Sequence, residues 1–576
     1  MIDIQWKLKP IPSPEVVQEL RRELGISKTL SELMAQRGIS NYYEAKRFFL
    51  PKWEDLHDPY LMKDMDKAVQ RILQAIENQE KILIYGDYDV DGTTSVSLMT
   101  LFFRAYHIPV EYYIPDREKE GYGLSDEGID FALENEIKLI ITLDCGIKSL
   151  DKAQKIAEKG IDLIICDHHL PGKELPKACA ILDPKQPDCN YPFKELTGCG
   201  IGFKLIQALA PILNSQFKTH VEPKNYIDLV VLSIACDLVP VNGENRILAY
   251  YGLQKIRKKP LPGIQKIKEL TDTERKWDIA DLVFFIGPRI NAAGRLKHAK
   301  YAVEVLIGES EYLKESAEFL NESNAERRHI EQKIIEDAYN FVENQLKNGN
   351  TASIVAYQSD WHKGVIGIVA SKMVERYYKP TILLTFSNGK WVGSGRSVHD
   401  FDLYEALNAC SEHLEQFGGH KYAAGLSLSD NKLNDFVQAF ENYCYHNILE
   451  HQKSPILEID MEIPFSRLTI SFLQTIERME PFGPENMRPR FLSKPVRLNY
   501  YSIRNEKHIF LRFQQDNYSY DGIMFNIEPE ELEIRKNWLN QFNYFEVVYV
   551  PELNMDHKTL QKYVQFTIKD FKPLNI

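Results

Sequence analysis

The chain has 576 residues, 44% hydrophobic and 26% charged, with 82 acidic against 70 basic side chains and a formal net charge of −12. That length is more than one hydrophobic core serves and predicts about three or four domains. The acidic balance speaks against a protein that coats nucleic acid nonspecifically, though not against a nucleic-acid enzyme with a local basic groove and bound divalent cations. Eight cysteines with no C-x-x-C pair argue against a disulfide framework or a thiolate zinc site and predict a reducing, cytoplasmic setting. The N-terminus has no continuous apolar segment, and the most hydrophobic stretch, 227–239, is short and carries Asp228 and Asp237, so neither a secretion signal nor a membrane span is expected.

In chain order, residues 1–60 read as an N-terminal extension and 61–308 as an α/β domain. Short apolar, β-rich runs at 81–85, 110–114, 138–143 and 162–166 alternate with amphipathic segments such as 93–106 and 150–159, the pattern of a parallel sheet. Ligands of such sheets bind beyond the carboxyl ends of the strands. Residues 309–347 read as a helical connector, one long helix or two, with Leu313, Ala317, Leu320, Ile330, Ile334, Ala338 and Phe341 at helical spacing. A second α/β domain is expected over 348–453, with strands at 352–356, 381–385 and 390–394 and a helix over 364–377. From 454 to 576 the sequence turns aromatic and β-prone, with helices expected after Pro464 and Glu528.

The densest chemical signal follows the first apolar run, where Asp87, Asp89 and Asp91 alternate within Gly86-Asp87-Tyr88-Asp89-Val90-Asp91-Gly92 and no Lys or Arg intervenes before Met99. Like charges about 4 Å apart repel by roughly 4 kcal/mol at an effective dielectric of about 20, so the cluster calls for a cation. An EF-hand is excluded, because its twelfth position is Leu98 rather than Glu and the preceding segment is β-like rather than helical. Asp144 ends another strand, Asp167-His168-His169 ends a third, and Asp237 follows an apolar helical run. A set of carboxylates with one or two imidazoles suits Mn²⁺ or Mg²⁺ better than structural zinc, with room for two ions sharing a carboxylate.

Near the C-terminus, Arg488, Arg490, Lys494, Arg497, Arg504, Lys507 and Arg512 face only Glu506 among acids within 488–513, and Phe491, Tyr500, Tyr501, Phe510 and Phe513 are interleaved. Aromatics beside a basic track bind single strands by base stacking worth about 1–3 kcal/mol per base. The same pattern also fits an ordinary barrel core with solvated cations.

These residues resemble the DHH phosphoesterase superfamily. Its D-x-D-x-x-x-S motif appears as Asp89-Val90-Asp91-Gly92-Thr93-Thr94-Ser95, its naming motif as Asp167-His168-His169, and the G-G-H motif of the DHH-associated domain as Gly418-Gly419-His420. Within the superfamily the chain is similar to the RecJ family of single-strand-specific 5′ to 3′ DNA exonucleases, through Glu120-Gly121-Tyr122-Gly123, Gly287-Pro288-Arg289-Ile290-Asn291 and Gly393-Ser394-Gly395-Arg396-Ser397. The resemblance implies a parallel-sheet DHH domain, a second α/β DHH-associated domain across a cleft, and a C-terminal OB-like β-barrel. It implies one ion on Asp91, Asp144, His168 and Asp237 and a second near Asp87, Asp89 and Asp144. His169 and Asp167 would be catalytic, and Arg117, Arg295, Ser394, Arg396 and His420 would bind substrate. The expected partner is single-stranded DNA, with a RecQ-type helicase and a single-strand-binding protein as candidates, in recombination and repair. Two other readings are a DHH phosphodiesterase for short oligoribonucleotides or cyclic dinucleotides, which needs no long C-terminal track, and a metal-less replication scaffold, which needs no complete ligand set.

Overall fold

The computed structural model describes residues 4–271, 276–308, 313–347, 351–556, 559 and 561–575. The chain divides into two compact units, one of Pro51–Ile330 with Pro481–Met487, the other of the remainder.

The first unit is built on a five-stranded, wholly parallel sheet in the order Val110–Tyr113, Ile82–Gly86, Leu139–Leu143, Asp162–Cys166, Ala180–Leu182. The strands Ile82–Gly86 and Leu139–Leu143 are buried at every position, which is why they read as unbroken apolar runs rather than alternating ones. Successive side chains still go to opposite faces. Ile82 and Ile84 join the large core with Val96, Met99, Phe203 and Leu232, while Leu83 and Tyr85 pack with Ile129, Ala132 and Ile156 beneath the other face. The helix Val90–Arg104 is buried along most of its length. It is enclosed because Gly198–Phe217 and Ile227–Cys236 pack beside it, their side chains in the same core. The short strand Ala180–Leu182 was not expected from sequence.

Pro481–Met487 belongs to this unit although it lies within the span that reads as the C-terminal barrel. The Val241 amide donates to the Pro484 carbonyl (2.8 Å) and Arg246 Nη1 to that of Pro481 (3.2 Å). A Cβ at Gly483 would stand 2.4 Å from Val241 Cγ2, so only glycine allows this approach.

In the second unit a mixed sheet runs Gln416–His420, Ala423–Leu428, Lys390–Arg396, Thr381–Ser387, Ile354–Tyr357, with only the last pair parallel. The helix Lys363–Tyr377 connects that pair. The hairpin Gln416–His420/Ala423–Leu428 was missed in sequence, because its glycines mimic a loop.

A closed barrel follows. Phe491–Arg504, His508–Gln515, Tyr518–Met524, Lys562–Leu574 and Tyr544–Met555 pair in turn, and the last pairs back to the first. The strand Gln5–Leu8 pairs in parallel with Ile456–Ile459, bringing the N-terminus into this unit. Helices Ile470–Glu477 and Pro529–Gln541 fall where expected. Phe491 and Phe513 are wholly buried, whereas Tyr500 is 58% exposed. The basic-aromatic run is therefore partly core and partly surface. The connector is a single 35-residue helix, Leu313–Lys347, and the flanking 309–312 and 348–350 lie outside the described residues. Among the described residues no helix is long and apolar enough to cross a membrane.

Candidate metal centre

Parallel register decides where the acidic groups fall. Gly86 pairs with Leu143, Leu143 with Cys166, and Cys166 with Leu182. The next residue of each strand, Asp87, Asp144, Asp167 and Asp183, therefore lies in one row beyond the carboxyl edge.

Around that row the backbone approaches unusually closely. Asp89 caps the helix Val90–Arg104, its Oδ1 accepting from the Gly92 amide (3.1 Å). A Cβ on Gly92 would stand 2.2 Å from the Asp87 carbonyl oxygen, so glycine is required for the acidic loop to fold back on its own helix. Asp91 meets the N-terminus of Gly198–Phe217, accepting from the amides of Gly198 (2.6 Å) and Cys199 (2.8 Å) and from Ser233 Oγ (2.7 Å). Asp144 is left-handed (φ 62°). A Cβ on Gly198 would stand 2.6 Å from the Cβ of Asp144, which sets how near that helix comes. Asp237 follows the last turn of Ile227–Cys236.

His168 ties these groups together. Its Nε2 lies 3.2 Å from Asp144 Oδ1, 3.7 Å from Asp237 Oδ2 and 3.8 Å from Asp91 Oδ2. Three sets have ligand atoms mutually within 4.8 Å: Asp91, His168 and Asp237; Asp87, Asp89 and Asp144; and Asp144, His168 and His169. All six residues expected to hold metal are thus brought together, and Asp144 and His168 each belong to two sets.

The donors fit a divalent cation. Asp87 Oδ1 and His168 Nδ1 are buried without a hydrogen-bond partner. Burial and mutual repulsion raise the carboxyls of Asp87, Asp89, Asp144 and Asp237 above the usual range. Burial also lowers His168, favouring the neutral imidazole that a metal requires. The thiols of Cys145, Cys166 and Cys236 are pushed up by burial, which suits small packing groups rather than ligands.

Asp167 has a different task from its neighbours. Its Oδ1 accepts from the amides of His168 (2.8 Å) and His169 (3.1 Å) and from His169 Nδ1 (2.8 Å), while Oδ2 accepts from the Ile147 amide (2.9 Å). Both oxygens are engaged, so Asp167 orients the tripeptide and places the proton on Nδ1 of His169, freeing Nε2. Burial would raise Asp167, but the His169 hydrogen bond, its charge and the amides hold it low. Burial would likewise lower His169, yet the bond and charge of Asp167, with Asp91 and Asp89, hold it up. Tyr122 braces the same corner. Its hydroxyl donates to the Asp144 carbonyl (2.8 Å) and lies 3.2 Å from His169 Nδ1. Sequence reading assigned Tyr122 no role, although its flanking glycines, at φ 83° and 85°, were a visible signal.

Arg117 stacks on the Tyr88 ring (4.8 Å), and its charge opposes the upward shift of Asp87 and Asp89. Arg295 lies on Gly287–Leu296, a helix that nears the acidic loop through Gly294, where a Cβ would be 2.7 Å from the Tyr88 carbonyl oxygen. Ser394, Arg396 and His420 belong to the other unit. There Arg396 Nη1 donates to Ser394 Oγ (3.0 Å), and His420 and Arg396 both pair with Ala423, placing them on one sheet face. Gly367 of Lys363–Tyr377 leaves room for both, since a Cβ would meet Ser394 Oγ at 2.9 Å and Arg396 Nη2 at 3.1 Å.

Residues 81–234 match the DHH family N-terminal domain, 350–446 the DHHA1 domain and 459–570 the RecJ OB domain. Over 543 residues the chain is 34% identical to the single-stranded-DNA-specific exonuclease RecJ of Dickeya dadantii, covering 89% of this chain and 93% of that one. The chain belongs to the RecJ family. The RecJ of Bacillus subtilis is 36% identical over 531 residues, 91% of this chain but 66% of that relative, so the chain spans just under two thirds of its length. A crystal structure of exonuclease RecJ bound to manganese aligns with a TM-score of 0.59 at 29% identity, over 67% of this chain and 96% of that one. RecJ from Thermus thermophilus in complex with Mn²⁺ shares the fold over the whole chain and 80% of its own, with a TM-score of 0.82 at 23% identity.

Proposed function

We propose that this RecJ family member is a metal-dependent exonuclease that hydrolyses phosphodiester bonds of single-stranded DNA from the 5′ end. The observation that carries this reading is the sharing of Asp144 and His168 among three ligand sets at one sheet edge. Asp87, Asp89, Asp91, Asp144, His168 and Asp237 would hold two Mn²⁺ or Mg²⁺ ions. Such ions supply activation of water and neutralisation of phosphate charge.

The protein's own groups then position the strand. His169, with its Nδ1 proton held by Asp167, presents Nε2 to the scissile phosphate, so Asp167 is a positioning residue. Arg117 and Arg295 hold phosphates beside the acidic loop, a task suited to the planar guanidinium fork. Ser394, Arg396 and His420 form a second phosphate-binding set, to which we assign the 5′ end. On the barrel, the exposed Tyr500 ring and the Arg504 guanidinium, 4.2 Å over the Phe510 ring, offer surface for a single strand. This barrel favours long strands over cyclic dinucleotides, and the complete ligand set favours catalysis over a scaffold. We assign catalysis to 61–308, the span read from sequence as the DHH domain, with Pro481–Met487 packed on it. Partnership with a RecQ-type helicase and a single-strand-binding protein, and a role in recombination and repair, rest on family resemblance. Eight free cysteines fit the reducing cytoplasm.

The test compares strands blocked at either end. Resistance of the 5′-blocked strand and digestion of the 3′-blocked one is expected, and Arg396→Ala should lose most of the preference for a 5′ phosphate over a 5′ hydroxyl. The opposite pattern of resistance would overturn the polarity.

A further inference from the structure

The fifth strand places a cation beside the metal ligands that no motif announces. Ala180–Leu182 ends at Asp183, which is fully buried. Asp183 Oδ1 accepts from the Lys185 amide (2.7 Å), and its carbonyl accepts from the Gln186 amide (3.3 Å) and from Gln186 Nε2 (3.2 Å). Gln186 Nε2 also donates to the Ile181 carbonyl (2.9 Å), and Lys63 Nζ donates to Gln186 Oε1 (3.3 Å). The turn Asp183-Pro184-Lys185-Gln186 is therefore fixed next to Asp167, whose amide donates to the Leu182 carbonyl (3.1 Å). From this turn the Lys185 side chain, only 21% exposed, reaches Glu195, whose carbonyl shares the Asn245 side-chain amide with that of Pro240, so Lys185 lies beside both the strand end that carries His168 and the segment that carries Asp237. Its ion pair with the half-exposed Glu195 is long, at 3.7 Å.

An ammonium in that place opposes a dication on His168 and Asp237, so it weakens metal binding unless an anion lies between them. A substrate phosphate is such an anion. We propose that Lys185 is a substrate-contacting residue that holds a phosphate on the His168–Asp237 half of the metal centre, as Arg117 serves the Asp87–Asp89 half. This rests on the metal-centre reading above and adds a residue to it.

The test uses the full chain with Lys185→Gln and Lys185→Arg. Calorimetric titration with Mn²⁺ alone should show the Gln variant binding about two- to fivefold more tightly than wild type, the scale of one partly screened charge. Titration of inorganic phosphate into the Mn²⁺-loaded protein should show weaker binding by a similar factor, and KM for oligothymidylate should rise more than kcat falls. Lys185→Arg should restore phosphate affinity and KM toward wild type. Unchanged Mn²⁺ and phosphate affinities in Lys185→Gln would overturn the proposal. So would equal losses in both variants with a lowered melting temperature, which would make Lys185 a folding residue. The two titrations do not depend on turnover, so a wild type that binds Mn²⁺ and phosphate but spares DNA would refute the exonuclease reading and leave this one standing.

Discussion

Replacing Asp144 by Asn should stabilise the metal-free protein while removing its activity. Oxygens of Asp87, Asp89 and Asp144 lie within 4.8 Å of one another, and two unit charges at that distance repel by about 3.5 kcal/mol at an effective dielectric of about 20. Proton uptake relieves part of this, leaving an expected gain of roughly 1–3 kcal/mol at pH 8. Asn matches the shape of Asp, tolerates the left-handed backbone at φ 62°, and leaves the backbone bonds to Cys166 and Tyr122 untouched. Because the folded-state pKa of Asp144 is raised, its contribution is favourable at low pH and lost as pH rises through the raised value. The gap between variant and wild type should thus widen with pH. At roughly 2–4 °C per kcal/mol for a unit of this size, the metal-free variant should melt about 2–12 °C higher. Mn²⁺ at about 100 times its Kd should stabilise wild type by about 2.7 kcal/mol and the variant by much less, and turnover should fall at least about a hundredfold. Thermal unfolding at pH 8 in chelator and in Mn²⁺, alongside a digestion assay, reads all three effects. A metal-free variant less stable than wild type, or one with an undiminished Mn²⁺ shift, would refute the reasoning.

Gly92→Ala should cut Mn²⁺ affinity at least about tenfold, since the new Cβ would sit 2.2 Å from the Asp87 carbonyl oxygen and displace the loop; wild-type affinity by calorimetry would contradict this. Burial raises the Asp183 carboxyl to about 7, so its stabilising contribution, complete below about pH 4, should be lost by about pH 7. Asp183→Asn should then be more stable than wild type above pH 7, with a ceiling of about 4 kcal/mol, and indistinguishable near pH 4; chemical unfolding across that range checks the sign. Asp167→Asn should lower kcat about 10- to 100-fold, the usual cost of losing an orienting partner, with Mn²⁺ affinity within about threefold of wild type; parallel kinetics and titration separate the two.

Much of the metal centre was legible because a strand-end carboxylate after a buried apolar run leaves a plain trace. Asp87, Asp144 and Asp167 were found this way, and the first four strands of the parallel sheet lie within a residue or so of their expected positions. The fifth strand, three residues after a loop containing Pro171, Gly172 and Pro176, is too short to show a period, and with it Asp183 and Lys185 went unseen. Register was also invisible. Asp167 reads as one more acid in the cluster, and only its hydrogen bonds distinguish a group that orients His169 from one left free for a metal. In the barrel, alternation sends Phe491 and Phe513 inward and Tyr500 outward, and Arg512 is committed to Asp521 at 2.6 Å, divisions that composition cannot make. Pro481–Met487 packs against Val241 and Arg246, so removing everything from 455 onward would damage the catalytic unit as well as the barrel, and point substitutions at Tyr500 and Arg504 are the cleaner probe.

The most direct measurement is digestion of end-labelled single-stranded DNA, duplex DNA, a short oligoribonucleotide and a cyclic dinucleotide by the purified full chain, with Mn²⁺, with Mg²⁺ and with chelator. Stepwise loss of the single strand only when a divalent ion is present, with the duplex and the dinucleotide spared, is the result expected. Persistence of the single strand in both metals, or faster cleavage of the dinucleotide than of DNA, would contradict the account.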